Sequence, residues 1–115
     1  MKIVIDKEMT ANQLARVFHE AYPFLKIEIY HQGDEMSFDV FHTLNEISSI
    51  KKGEEFMVVS EMTIEQIEYL FWEKLGLQIA IFRKVGNSWL HTAFTNNWTL
   101  HRQNQMGKNI FGAIA

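Results

Sequence analysis

The segment from Met62 to Lys84 constrains the fold more than any other part of the 115-residue chain. Thr63 and Gln66 have the spacing of a capping box, in which each side chain bonds the other residue's backbone amide at a helix start. Five apolar residues follow at helical spacing: Ile64, Ile67, Leu70, Phe71 and Leu75. Gly76 is suited to end the helix because glycine readily adopts a positive φ. Residues 77–83 include the β-branched Ile79 and Ile81 and the aromatic Phe82, so the segment predicts a helix followed by a strand.

The same pattern occurs earlier in the chain. A strand is predicted from Lys2 to Asp6, and Thr10 and Gln13 form a second capping box before a helix that Pro23 ends. The strands after the two helices read LKIEIY at 25–30 and LQIAIF at 77–82, with side chains alternating between two faces in the first. The offset between the copies is 53 residues and becomes 52 in these strands. We interpret this as an internal repeat, although caps and periods are generic enough for unrelated βαβ units to look alike.

Two βαβ units in series predict an α+β fold, specifically a ferredoxin-like βαββαβ sandwich with an antiparallel sheet and two helices on one face. The chain is predicted to be a single domain over 1–115, with βαβ halves at 1–33 and 54–85. Residues 34–53 form a central insertion, and 86–115 add an extra C-terminal hairpin strand and helix. The length and the 47% hydrophobic content are sufficient for one buried core.

The central insertion is ambiguous in sequence. Gly33, Asp34 and Glu35 are typical of a turn. The apolar residues that follow recur at every third position: Phe38, Phe41, Leu44, Ile47 and Ile50. This spacing indicates a helix, whereas alternation of Phe38, Val40 and His42 would suit an extra strand. We favour a mixed segment with a helical turn near Thr43 to Ser48.

The C-terminal part carries turn and helix signals. Gly86 and Asn87 predict a tight turn, so that Ser88 to Phe94 pairs back as a strand, and Thr99 to Phe111 is predicted as the last helix. The runs GNSWL at 86–90 and WTL at 98–100, with Gln103-Asn104, resemble small bacterial proteins of unknown activity that share G-N-x-W-L and W-T-L-x-x-Q-N motifs. The resemblance covers about the last half of the chain and implies no activity. This chain departs from it where the family has acidic residues around the second tryptophan: Asn96, Asn97, His101 and Arg102.

The sequence favours a non-enzymatic role. The five histidines, at 19, 31, 42, 91 and 101, show no metal-binding spacing, and the chain has no cysteine. No phosphate-binding glycine loop is present, so no cofactor is predicted. Ser49 and Lys52 match S-x-x-K without its partner motifs, and Asp34, Glu35 and Asp39 read as a solvated turn. The apolar run Ile3 to Ile5 is too short for a signal peptide, so we expect a soluble, cytoplasmic protein without a membrane partner.

Charge is distributed unevenly along the chain. All 14 acidic residues lie at or before Glu73, where 6 basic residues leave a net charge of −8, whereas residues 74–115 carry +5. Basic residues and two tryptophans of the C-terminal part form a candidate anion or nucleic-acid surface: Arg83, Lys84, Trp89, Trp98, Arg102 and Lys108. Phe82, Trp89 and Trp98 could stack on bases there. In the alternative interpretation, basic and acidic parts meet within the fold or between protomers. The overall charge of −3 weighs against non-specific phosphate binding.

The helix that starts after Thr63 places two large aromatic residues away from its apolar stripe. Tyr69 and Trp72 lie about 120–180° from the stripe's centre at 100° per residue. They are either covered by the last helix or the central segment, or they form a candidate partner surface. We therefore predict a small non-enzymatic interaction or regulatory module that forms a homodimer or binds another protein. The alternative is a single-stranded nucleic-acid-binding protein that uses the basic C-terminal hairpin and helix.

Overall fold

The computed structural model describes residues 2–31, 34–35, 42–48 and 55–114. These ranges contain six strands, four α-helices and one 3₁₀ helix. The strands are β1 Lys2–Ile5, β2 Leu25–His31, β3 Asp34–Glu35, β4 Phe56–Val59, β5 Gln78–Val85 and β6 Ser88–His91. The helices are α1 Ala11–Ala21, α2 Leu44–Ile47, α3 Ile64–Leu75 and α4 Leu100–Ile114, and the 3₁₀ helix is Thr92–Thr95.

The described strands form two antiparallel sheets. Strands β1 and β4 pair with each other, and a four-stranded sheet has the order β3-β2-β5-β6. The protein is therefore an α+β protein, as predicted, and the first and last strands of each βαβ unit belong to different sheets. This pairing could not be read from the sequence, because it joins residues 48–58 positions apart.

The β1-β4 pair and the β2-β5 pair each keep the same register when every residue is replaced by its equivalent in the other half of the chain. Ile3 pairs with Val58 and Ile5 pairs with Phe56, so a shift by the 53-residue offset converts one pair into the other. Strands β2 and β5 behave in the same way with the 52-residue offset. Their corresponding pairs are Ile27 with Ile81 and Ile29 with Ile79. Local two-fold relations of this kind are what two equivalent βαβ units would produce.

Both predicted capping boxes are confirmed. The Thr10 hydroxyl accepts from the Gln13 amide at 3.1 Å, and the Thr10 amide donates to the Gln13 side chain at 2.9 Å. Thr63 and Gln66 make the same two bonds at 3.2 and 2.9 Å. Gly76 ends α3 with φ 63°, as its position predicted. These bonds satisfy amides at the helix starts that have no partner within the helix.

Helices α2 and α4 begin at corresponding places against the two units. Thr43, which caps α2 in a third box that we did not predict, bridges to Thr10, and Thr99 bridges to Thr63. The first amides of the two helices then bond equivalent carbonyls, at 2.7–3.1 Å: Leu44 to Met9 and Asn45 to Lys7, Leu100 to Met62 and His101 to Ser60. The helical turn predicted near Thr43 to Ser48 is confirmed.

One apolar core lies between the sheets and the helices. On β2, Leu25, Ile27 and Ile29 are buried and the alternate residues are half-buried on the other face, as the alternation predicted. Helices α1, α3 and α4 contact the four-stranded sheet. The largest side chains exposed by 2% or less include Phe18, Phe71, Leu14, Ile67 and Ile81.

Two local predictions are wrong. The strand expected over Ser88 to Phe94 ends at His91, because the Thr92 hydroxyl donates to the Ile81 carbonyl at 2.7 Å and the chain turns into the 3₁₀ helix. Asp34 and Glu35, predicted to lie in a turn, pair with β2. The predictions for Gly33, Phe38, Val40, Phe41 and Ile50 lie outside the described residues, as do those for Asp39, Ser49 and Lys52.

Replacing either capping threonine by alanine should destabilise the domain. Thr10→Ala and Thr63→Ala each leave a helix-start amide without its acceptor, so each is expected to lower the free energy of unfolding by about 1 kcal/mol. Urea unfolding followed by circular dichroism measures both losses. Thr10→Ser and Thr63→Ser, which keep the hydroxyl, serve as controls. A loss below about 0.3 kcal/mol at either site would show that its box does not contribute.

Candidate interaction surfaces

The first surface lies on the outer side of α3. Ile64, Ile67 and Phe71 face the core, and the helical period carries Tyr69 and Trp72 to the opposite side. Tyr69 is 62% exposed and Trp72 is 61% exposed, so the described residues leave both rings largely in solvent. We call this pair the α3 surface. A groove of about 650 Å³ adjoins Tyr69 and is lined by Met62, Thr63, Glu65, Gln66, Tyr69 and Leu70.

Acidic residues accompany these rings on α3. Glu65 and Glu73 are exposed, and Glu68 is half-buried. Burial raises the pKa of Glu68 above its ordinary value; the charge of His91 opposes this shift and that of Glu65 adds to it.

The six residues predicted to form one anion surface fall into separate groups. Arg83 and Lys84 are neighbours on β5, and neighbouring strand residues point to opposite faces. Arg83 is only 7% exposed and lies on the core side with α4, whereas Lys84 and Trp89 are paired on the other face. Lys108 is exposed on α4, six residues after Arg102 and therefore about 120° away around the helix.

The group on the core side, which we call the α4 cluster, consists of Arg83, Trp98, Arg102 and Gln103. The guanidinium carbon of Arg102 lies 3.9 Å from the centroid of the Trp98 ring, and the guanidinium carbon of Arg83 lies 5.3 Å from it. Arg83 Nη1 donates to the side-chain oxygen of Gln103 at 2.8 Å. Gln103 is fully buried and donates in turn to the carbonyl and hydroxyl oxygens of Thr95, at 2.8 and 2.7 Å.

Arg83 is buried with incomplete hydrogen bonding. Its Nε atom is buried and has no hydrogen-bond partner among the described residues. Burial lowers the pKa of Arg83 from its ordinary value, although arginine stays protonated at neutral pH. Helix α4 packs closely over this side chain at Gly107, where a Cβ would lie 3.3 Å from Arg83 Cγ and 2.8 Å from Phe24 Cβ. The α4 cluster is therefore mainly a packed polar network, with Arg102 as its exposed cation.

The group on the opposite face includes two residues that sequence reasoning missed, Lys26 and His91. We define the outer sheet surface as Lys26, Phe82, Lys84, Trp89 and His91. The ammonium groups of Lys84 and Lys26 lie 5.0 and 5.2 Å from the Trp89 ring centroid. Lys26 also lies 5.1 Å from the Phe82 centroid, and Phe82 stacks on His91 at 5.1 Å with an interplanar angle of 27°.

The missed residues could not be placed from their own sequence context. Lys26 pairs with Phe82, and Phe82 pairs with His91, so the surface depends on the β2-β5 register. The alternation of β2 did assign Lys26 to the polar face, but no local signal showed what lay beside it. Glu28, on the same face, forms an ion pair with Lys26 at 2.9 Å.

A cavity of about 370 Å³ adjoins Trp89, lined by His19, Pro23, Phe24, Lys84 and Trp89. His19 meets the Trp89 ring edge-on at 6.2 Å, and its Nδ1 lies 2.9 Å from the Leu25 carbonyl oxygen. Because a carbonyl can only accept, Nδ1 carries the proton in this contact, which leaves Nε2 as the other polar atom of the ring. The cavity thus combines an aromatic face, an ammonium group and an imidazole.

The described residues contain no group of three or more His, Asp or Glu side chains that could hold a metal ion. Among them, too, no helix has both the length and the apolar content needed to cross a bilayer. Comparison with protein-family models, with curated proteins and with solved structures gives no match. The interaction surfaces must therefore be interpreted from their own geometry and chemistry.

Proposed function

We propose that the protein is a small non-enzymatic interaction module that forms a homodimer through the α3 surface. The observation that carries the proposal is the exposure of Tyr69 and Trp72, each above 60% and three positions apart on one helix. Large aromatic residues supply much of the binding energy at protein interfaces, and their exposure in a monomer is unfavourable. A partner that covers both rings removes this cost.

The occupant that we propose is a second copy of the chain, and charge complementarity supports it. The Ile64 and Glu65 amides donate to the Trp98 and Asn96 carbonyls at 3.2 and 3.0 Å, so the starts of α3 and α4 lie side by side. Helix α3 carries exposed Glu65 and Glu73, whereas the first turn of α4 carries exposed Arg102. Because a two-fold interface brings one patch against its own copy, adjacent acidic and basic helices can complement each other reciprocally.

The dimer is tested by the double variant Tyr69→Glu with Trp72→Lys. Both positions are exposed, so folding should be retained while the apolar contact is lost, and a dimer should become a monomer in analytical ultracentrifugation. Phe94→Glu is the matched control, because Phe94 is a fully exposed aromatic residue outside α3. A parent protein that sediments as a monomer at its highest soluble concentration contradicts the proposal, as does a double variant that stays dimeric.

The proposal includes an internal duplication that covers more of the chain than the sequence suggested. The exchangeable strand registers support two equivalent units, and so do the matching capping boxes at Thr10 and Thr63. The corresponding bonds of α2 and α4 extend the equivalence into segments 34–53 and 86–115, which the sequence suggested were additions to the repeat.

The ferredoxin-like arrangement and a cytoplasmic location remain parts of the proposal. The β1-β4 pairing and two capped βαβ helices support the ferredoxin-like arrangement. A ferredoxin-like fold also requires β1 and β2 to lie in the same sheet, because both strands of a split βαβ unit belong to one sheet. In the described residues, β1 and β2 lie in two different sheets.

The alternative function, single-stranded nucleic-acid binding, is favoured by one observation. Trp89 has two lysine ammonium groups within about 5 Å of its ring. Aromatic rings beside cations are typical of surfaces on which unpaired bases stack.

A further inference from the structure

We propose that the outer sheet surface binds single-stranded nucleic acid, with a base on Trp89 and phosphates at Lys26 and Lys84. This inference rests on the alternative function above and moves its site. The proposed nucleic-acid site does not lie at the basic residues of the α4 cluster. It lies on the outer sheet surface, to which β2, β5 and β6 each contribute. It uses a different face from the proposed dimer.

Local charge supports an anionic ligand here although the whole chain is acidic. The two ammonium groups flank one indole ring, at 5.0 and 5.2 Å from its centroid. Glu28 lies on this sheet face, and its ion pair with Lys26 offsets one positive charge. Glu35 is paired with Tyr30 on the same face, and the charge of His91 acts on Glu68 of α3. Lys84 has no carboxylate within ion-pair distance among the described residues, so its ammonium group is available to a phosphate.

The rings are arranged in two rows across the sheet. Lys84 and Trp89 are paired in one row, and Phe82 and His91 in the next, two residues further along β5. Two residues of a strand span about 6.8 Å, so the rows can receive successive bases of an extended strand. A sheet whose exposed aromatic residues stack two or three bases is an established mode of single-strand recognition.

The stacking requirement favours a single strand over a duplex or an acidic protein. Bases in a duplex are stacked on each other and do not present a free face to a flat sheet. An acidic peptide would satisfy the lysines but would not supply a planar group to stack on the half-buried Trp89 ring. The cavity bounded by His19, Pro23, Phe24 and Lys84 also gives a base room to enter beside the Trp89 ring.

The test measures binding of a labelled oligothymidylate of about 12 nucleotides by fluorescence anisotropy, at about 20 mM and about 150 mM salt. The parent protein should bind at low salt. The variant Lys26→Gln with Lys84→Gln should bind the oligonucleotide at least about tenfold more weakly. Because two phosphate contacts are lost, the slope of log affinity against log salt should become shallower by about 1.4. Arg102→Gln with Lys108→Gln, which removes the same charge from α4, should stay within about twofold of the parent.

A second variant locates the base. Trp89→Phe keeps an aromatic face, so anisotropy should still report binding, but the tryptophan quenching seen with the parent protein should be lost. Trp89→Ala should weaken binding by about fivefold or more, the effect of losing one base–aromatic stack. Circular dichroism of each variant confirms folding, and because Trp89→Phe is conservative, the test holds if Trp89→Ala does not fold.

Four results would overturn the inference. The first is the absence of oligonucleotide binding by the folded parent at low salt. The second is an equal or larger loss in the α4 variant, which would place the anion contacts there. The third is an affinity for a duplex equal to that for the single strand, and the fourth is an equal affinity for polyglutamate. Either result would show that the surface binds anions by charge alone, without base stacking. Ultracentrifugation reports separately on the dimer, so the two proposals can fail independently.

Discussion

Replacing Phe71 by alanine is expected to lower the free energy of unfolding by about 3–5 kcal/mol. The Phe71 ring is 1% exposed and packs edge-on against Phe56, with centroids 5.1 Å apart and planes at 90°. Alanine removes both the burial of the ring and this aromatic contact, and the surrounding side chains can refill the cavity only in part. Urea unfolding followed by circular dichroism measures the loss.

Two comparison variants test the reason for this loss. Phe18 occupies the corresponding position 53 residues earlier, is 2% exposed and packs on Tyr22 at 5.5 Å, so Phe18→Ala should cost a similar amount. Trp72→Ala removes a larger ring from the same helix as Phe71, but from a side chain that is 61% exposed, and should change stability by less than about 0.5 kcal/mol. A loss below about 1 kcal/mol for Phe71→Ala would mean that the ring is not in the core.

Local signals predicted the βαβ units well. The two capping boxes, the glycine at the end of α3 and the alternation of β2 depend on residues within about one helical turn of each other. Their bonds form in the structure at the expected positions. Thr43 and Glu46 have the same spacing as the two predicted boxes, so the sequence held the signal for a third box although only the helical turn there was predicted.

Sheet pairing could not be predicted in the same way. The contact between Lys26 and Phe82 depends on the β2-β5 register, which the packing of three helices and two sheets determines together. Lys26 therefore looked like an ordinary polar strand residue. The separation of Arg83 from Lys84, by contrast, followed from strand alternation alone, and grouping the two residues by charge neglected that geometry.

Charge composition also misled the sequence interpretation of Arg83. An arginine in an acid-free stretch of 42 residues suggested an exposed basic surface, yet Arg83 is 7% exposed beneath α4. Its partner is the neutral side chain of Gln103, and no periodic pattern identifies such a pair. Of the basic residues in the candidate site, Arg102, Lys84 and Lys108 are not buried.

Replacing Gln103 by leucine is expected to destabilise the protein by about 2–4 kcal/mol, because it breaks the hydrogen bonds of a buried cation. Gln103 is fully buried, accepts from Arg83 Nη1 at 2.8 Å and donates to two oxygens of Thr95. Leucine has a similar size but cannot accept, so Arg83 would have buried donors without partners at both Nη1 and Nε. Chemical unfolding at neutral pH measures the change.

A double-mutant cycle separates the hydrogen bond from packing. Arg83→Met removes the buried charge together with its unpartnered Nε, and should cost less than Gln103→Leu because the neutral glutamine left behind has a smaller desolvation cost. With both substitutions the pair becomes apolar, and the double variant should be more stable than Gln103→Leu alone, since a buried polar pair replaced as a whole is often close to neutral. Strictly additive losses would show that Arg83 and Gln103 do not interact. A negligible loss for Gln103→Leu would show that the Arg83 guanidinium reaches solvent or another acceptor.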